Sequence, residues 1–154
     1  MTSMSPNAPQ APSGPQRTPG EDHDAVLAAN REFYRAFEVA DLDAMSDVWA
    51  HSDEVSCVHP GWEALHGWAK VSASWMALFS GGQSLQFILT DEHVVVAADT
   101  AWVSLEEHLV PSDFASGHPG GTVAALNVFI RSDGAWKMVA HHGSGIASRP
   151  DPNL

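Results

Sequence analysis

The chain has 154 residues, a length that suits one domain with its own hydrophobic core, and six Trp and six Phe supply large side chains to fill it. Its formal net charge of −12 repels phosphate backbones and anionic lipid surfaces, which argues against nucleic acid and membrane as partners. A lone cysteine, Cys57, excludes an intrachain disulfide, and the sequence has neither a long apolar run nor an apolar signal core, so a cytoplasmic protein is expected.

Residues 1–20 carry Pro6, Pro9, Pro12, Pro15 and Pro19 among small and polar residues and read as a disordered tail, since nothing there offsets ordering entropy by burial. The folded part is expected over 21–147, with a second short tail at 148–154. Val26, Ala29, Asn30, Phe33, Phe37 and Ala40 fall largely at helical spacing, and Asp22 and Asp24 are candidate N-caps for that helix. Asp41 opens a short second helix with Leu42, Met45, Val48 and Trp49 on its apolar side. Glu54–Val58 reads as a strand, Pro60-Gly61 breaks the chain, and a third helix is predicted from about Gly67 to Phe79. Thereafter the period changes from 3.6 to 2. Leu85–Leu89, His93–Ala97, Ala101–Val110, Thr122–Arg131 and Ala135–His142 read as strands. Helices first and hairpin-linked strands afterwards indicate an α+β domain with a mostly antiparallel sheet.

Asp133-Gly134 is a strong two-residue hairpin signal. If Ser132 pairs with Ala135, regular counting sets Arg131 against Trp136, Phe129 against Met138, Asn127 against Ala140 and Ala125 against His142. Asn127, Phe129, Trp136, Met138 and His142 then share one face, and His141 points to the other. On the preceding strand Ala101, Val103, Leu105 and Leu109 form an aliphatic face. Trp102, Ser104, Glu106 and His108 form a mixed one, either a pocket wall or a solvated or dimer-facing surface.

Four features together resemble the SnoaL-like branch of the nuclear-transport-factor-2-like superfamily. They are Ala40-Asp41-Leu42-Asp43 after the first helix, Cys57-Val58-His59-Pro60-Gly61 followed by His66-Gly67 and a helix carrying Trp75, Asn127-Val128-Phe129 leading through Asp133-Gly134 to Trp136, and the ending His141-His142-Gly143-Ser144. The ending His142-Gly143-Ser144-Gly145 also resembles the association domain of calcium/calmodulin-dependent kinase II. The resemblance implies a cone-shaped, curved sheet wrapped by three N-terminal helices around one apolar pocket, and a homodimer formed through the sheet. A more distant likeness is to ketosteroid isomerase. The position of its general-base Asp is held here by His59, that of its oxyanion-hole Asp by Asn127, and that of its catalytic Tyr by Phe33, with Tyr34 next to it. With the base, the acid and the phenol all changed, steroid isomerisation does not carry over.

His59, Asn127 and His142 are the candidate catalytic residues. Imidazole exchanges protons near neutrality, and a buried amide can stabilise an enolate oxygen. For each of the three the alternative is a structural hydrogen bond within the core. Tyr34, Trp49, Trp62, Trp75, Glu106, His108 and Phe129 are candidate ligand contacts, although aromatics at helical spacing are more often core. The nine histidines show no metal-ligand spacing, so neither a metal nor another cofactor is expected. Pro111–Gly121 reads as a long hairpin loop, a lid or a mobile loop. Two functions follow. One is a cofactor-independent isomerase, cyclase or dehydratase that abstracts a proton next to a carbonyl of a hydrophobic compound. The other is a non-catalytic ligand-binding or assembly domain. In an enzyme, His59 and Asn127 should face one cavity with a donor left free; in a structural module, both should be bonded to protein.

Overall fold

Thr18 opens the first helix with a capping box: its hydroxyl accepts from Glu21 N–H at 3.2 Å and the Glu21 carboxylate accepts from Thr18 N–H at 2.7 Å. The computed structural model describes residues 16–82, 85–111 and 121–147. Helix α1 (Pro19–Glu38) therefore begins ahead of the expected caps, and Pro19 and Gly20 belong to it rather than to a tail. Asp22 is not a cap but a buried partner of Arg131. Asp41 does cap α2 (Leu42–Val48), accepting from Ala44 N–H at 2.9 Å. Then follow β1 (Ser56–Val58), shorter than predicted, β2 (Leu65–His66) and α3 (Trp68–Ser80). The remaining strands are β3 (Leu85–Ala97), β4 (Thr100–Pro111), β5 (Thr122–Ser132) and β6 (Ala135–Gly145). The two strands expected at Leu85–Leu89 and His93–Ala97 are one strand with an irregularity between Thr90 and His93, where Asp91 takes φ of 54°. Residues 112–120 of the expected loop Pro111–Gly121, residues 1–15 of the expected first tail and the expected second tail at 148–154 lie outside the described residues.

The six strands among the described residues join one open, curved sheet in the order β2-β1-β6-β5-β4-β3. Every pairing is antiparallel except β1 with β6. The domain is thus α+β, with the three helices on the concave side. α1 crosses β3, β4 and β6. Its buried Val26, Asn30, Phe33 and Tyr34 and its half-buried Phe37 fall along one stripe against the sheet. Trp75 of α3 meets Phe33 and Phe37 edge-on, at 5.5 and 4.9 Å between ring centroids. These rings fill the space between helices and sheet.

The β5–β6 hairpin turns at Asp133 (φ 51°) and Gly134 (φ 78°), with Ser132 opposite Ala135, Arg131 opposite Trp136 and Phe129 opposite Met138. The regular count then fails. Val139 is an extra residue on β6, so Val128 faces Ala140, Asn127 faces His141 and Leu126 faces His142. The expected face is corrected accordingly: His141 shares the concave side with Asn127 and is buried, while His142 is exposed on the convex side.

Candidate functional site

The concave face of β4 presents Ala101, Val103, Leu105 and Glu107, all buried. Beside it β5 presents Val123, Ala125, Asn127 and Phe129, and β6 presents Met138 and His141. α1 lays Asn30 and Tyr34, one turn apart, onto this surface. The polar members of the set bond to one another. Tyr34 Oη donates to Glu107 Oε1 at 2.6 Å. Asn127 Nδ2 donates to Tyr34 Oη at 3.1 Å and to Asn30 Oδ1 at 2.8 Å. Asn127 Oδ1, left as an acceptor, takes its proton from His141 Nδ1 at 2.6 Å. His141 is therefore the neutral tautomer with its lone pair on Nε2. Asn30 Nδ2 is fully buried and has no partner among the described residues.

The environments of the two ends differ in sign. Burial pushes the Glu107 carboxyl up to about 7, only partly offset by the Tyr34 hydroxyl. Burial pushes His141 down to about 3, with His59 and His142 adding to the same direction. Tyr34 is raised well beyond its ordinary value by burial and then by Glu107. The chain thus runs from a carboxyl that exchanges protons near neutrality to an imidazole that stays uncharged.

His59 sits where β1 exits, at the start of the Pro60-Gly61 break. The Ser74 hydroxyl gives its proton to Val71 C=O at 2.6 Å, so its oxygen accepts from His59 Nε2 at 2.9 Å. The ring lies edge-on to Trp75 and Trp62 at 4.7 and 4.9 Å, and 6.4 Å from the His141 ring. Burial lowers His59 to about 4 and raises the neighbouring Cys57 thiol to about 12.

Of the residues singled out in the sequence, Tyr34 and Asn127 meet directly, Phe129 lies buried on the same face, and His59 and Trp75 approach through His141. Trp62 is 43% exposed beside His59. Trp49 is core, 6.2 Å from Trp68 and bridged to Met138. Glu106 and His108 are on the convex face. There His108 bonds to Thr90 at 2.8 Å and Thr122 at 3.2 Å, with Glu106 at 3.7 Å, so they do not join the site. His142 does not join it either. Asn30, Glu107 and His141 are the additions. Glu107 had a visible signal, because it has the parity of Ala101, Val103 and Leu105, and so did Asn30, which keeps the period of Val26 and Phe33. Among the described residues no group of three or more His, Cys, Asp or Glu is placed to hold a metal ion. Nor is any helix there long and apolar enough to cross a membrane. A shallow surface cleft of about 390 Å³ lies elsewhere, lined by Arg17, Asp99, Arg131 and Gly134 among others.

The profile of the SnoaL-like domain matches residues 26–148. The chain belongs to the SnoaL-like family. This SnoaL-like domain is 37% identical to a proposed dehydratase of the nuclear-transport-factor-2-like family from Streptomyces avermitilis, with 85% of this chain and 100% of that one covered and a TM-score of 0.77. It is 34% identical to a proposed calcium/calmodulin-dependent protein kinase type II association domain from Thiobacillus denitrificans, covering 79% and 94% of the two chains with a TM-score of 0.67. F-box protein SKIP8 of Arabidopsis thaliana is 32% identical over 120 residues, which are 78% of this chain and 49% of that protein. The chain thus spans about half the length of that curated relative. A Nostoc punctiforme protein with a cystatin-like fold, 11% identical with a TM-score of 0.68, shares the fold.

Proposed function

We propose that this SnoaL-like domain is a cofactor-independent lyase of the dehydratase type, acting on a small hydrophobic compound that carries a hydroxyl β to a carbonyl. His59 and Asn127 are both bonded to protein, as expected of a structural module, so the observation that carries the reading is instead the Glu107–Tyr34–Asn127–His141 chain in an otherwise apolar interior. Such a chain is costly to bury, and it brings two titratable groups with opposite shifts into one site. His141 Nε2 is the base that takes the proton α to the carbonyl. An imidazolium is poorly tolerated here, so it forms only beside a compensating anion, which the developing enolate supplies. The imidazolium so formed returns that proton from Nε2 to the departing hydroxyl, while Glu107, accepting from Tyr34, holds the chain in the polarity that keeps the Nε2 lone pair free. Asn127 positions both partners. The reading replaces His142 with His141 and leaves His59 as a second imidazole 6.4 Å from the His141 ring. Similarity to the Streptomyces protein supports it. The test is turnover of a panel of β-hydroxy ketones and thioesters, followed by the absorbance of the conjugated product. Turnover should be lost in His141→Ala and kept in His142→Ala. Undiminished turnover in His141→Ala would refute it.

A second reading, an assembly domain, is favoured by the convex face. Val95, Trp102, Val128 and Ala140 form one cross-strand row there, with Leu126 42% and Ile88 57% exposed. Similarity to the Thiobacillus association domain supports self-assembly, which this reading places in the cytoplasm as a homodimer through the sheet. Sedimentation velocity of Leu126→Glu against the parent chain tests it, with loss of the dimer expected.

A further inference from the structure

The hydrogen-bond chain through the core has a direction, and each of its members can reverse it. As it stands, His141 donates to Asn127, Asn127 to Tyr34 and Tyr34 to Glu107, which suits an ionised Glu107 at the accepting end. A carboxylate accepts only, a carboxylic acid can also donate, a phenol does either, and a carboxamide exchanges its two roles by turning over. Each of the three links is short enough, at 2.6, 3.1 and 2.6 Å, for the opposite polarity to use the same heavy atoms. We propose that Tyr34 and Asn127 form a reversible hydrogen-bond relay through which the protonation of Glu107 sets the tautomer of His141.

The reversed arrangement can be written atom by atom. Protonated Glu107 donates to Tyr34 Oη. The Tyr34 hydroxyl rotates and donates to Asn127 Oδ1. Asn127 and Asn30 have both turned their amides over, so that Asn30 Nδ2 also donates to Asn127 Oδ1. Asn127 Nδ2 now faces His141 Nδ1 and donates to its lone pair. His141 releases its Nδ1 proton to water and takes one up at Nε2. The net uptake over the whole chain is the single proton on Glu107. His141 thereby changes from a lone-pair acceptor at Nε2 to an N–H donor at Nε2 without becoming charged.

The unpartnered amide nitrogen of Asn30 is the second observation. A buried carboxamide nitrogen without an acceptor is uncommon, and the reversed arrangement gives it one while leaving Asn30 Oδ1 unpartnered instead. Each arrangement strands one atom of the same side chain. Burial places Glu107 where it changes state near neutrality, and keeps His141 uncharged throughout that range. Other titratable groups surround the chain. Glu38 approaches from α1 and Glu92 from β3. His59 approaches at the exit of β1, and His142 flanks His141 on β6. The inner face of β5 offers only Val123, Ala125, Asn127 and Phe129. The inference deepens the acid–base reading of the same site, giving one residue the base role in one state and the acid role in the other, with Glu107, Tyr34 and Asn127 as positioning residues.

Nitrogen NMR of the histidine-labelled chain tests it without substrate. His141 should carry its proton on Nδ1 at pH 8.5 and on Nε2 at pH 5.5, remaining neutral at both. The ratio of the two forms should change by about tenfold per pH unit around the Glu107 transition, as one proton requires. Tyr34→Phe, which breaks the relay, should hold one tautomer ratio across that range, and so should Glu107→Gln if the Phe variant does not fold. A wild-type tautomer that stays the same from pH 5.5 to 8.5 overturns the relay. So does a switch that persists in Glu107→Gln, which would assign it to a group other than Glu107. A negative turnover screen would sink the lyase reading alone, since this spectrum is read without any reaction.

Discussion

Replacing Glu107 with Gln should make the domain more stable at high pH and leave it nearly unchanged at low pH. The side chain keeps its size and its acceptor for the Tyr34 hydroxyl, so the difference isolates the carboxyl charge. Burial raises Glu107 from 4.5 to about 7, and the sign follows from that direction. The folded state binds this proton more tightly than the unfolded chain does. Its contribution is complete below the unfolded value and is lost as the pH rises through the folded one. At about 1.4 kcal/mol per pH unit, the interval from 4.5 to about 7 corresponds to about 3 kcal/mol. His59 and His141 act in the opposite sense. Both are lowered, so their contribution is present above 6.5 and is lost as the pH falls below it. They are common to both proteins and cancel in the difference. Urea unfolding of the two proteins at pH 5, 6, 7 and 8 measures the gap directly. It should open from under about 1 kcal/mol at the acid end to about 3 kcal/mol at the alkaline end, in favour of the Glu107→Gln protein. A gap that is constant over this range would show that Glu107 is ionised in the fold at pH 5, and the buried-acid reasoning would be wrong.

Other expectations use the same measurement. Wild-type stability should peak near pH 6.5, falling on the acid side through the two histidines and on the alkaline side through Glu107. His141→Ala strips Asn127 Oδ1 of its donor and opens a hole beside Phe33 and Trp75. It should cost about 2–4 kcal/mol, against within about 0.5 kcal/mol for the exposed His142→Ala. Arg131 holds Asp22 at 2.8 Å and Asp99 at 2.8 Å and lies over Trp136, tying the first turn of α1 to the β3–β4 and β5–β6 turns. Arg131→Met should cost about 1–2 kcal/mol, discounted for its partial exposure, and hydrogen exchange at the start of α1 should quicken more than in α3.

How much of this was legible in the sequence depends on which interaction decides each feature. Period and turn chemistry decide the elements. Asp133-Gly134 announced its hairpin, and its first pairs out to Phe129 and Met138 are as counted. The two polar intruders on apolar stripes, Asn30 and Glu107, were visible by parity, since a helix face and a strand face are both written in the spacing. Their mutual contact was not. Whether Tyr34 meets Glu107 and Asn127 depends on the angle at which α1 crosses the sheet, which packing sets and periodicity does not. Asp22 illustrates the same limit. Locally it is a good cap, and only the hairpin 109 residues away makes it an ion-pair partner instead. The identity of the inward histidine was lost at Met138-Val139-Ala140, where no Gly or Pro marks the irregularity.

That irregularity makes β6 behave like a message with a frameshift. Upstream of Val139 the strand is read in one phase and downstream in the other, so a single inserted residue selects which of two adjacent, chemically identical side chains reaches the interior. A chain lacking Val139 would keep His141 inward with an unbroken ladder. A chain that kept Val139 but straightened the strand would present Ala140 and His142 instead. For relatives of this domain, aligning histidine with histidine is therefore not enough; the spacing back to the hairpin decides whether the same letter carries the same meaning.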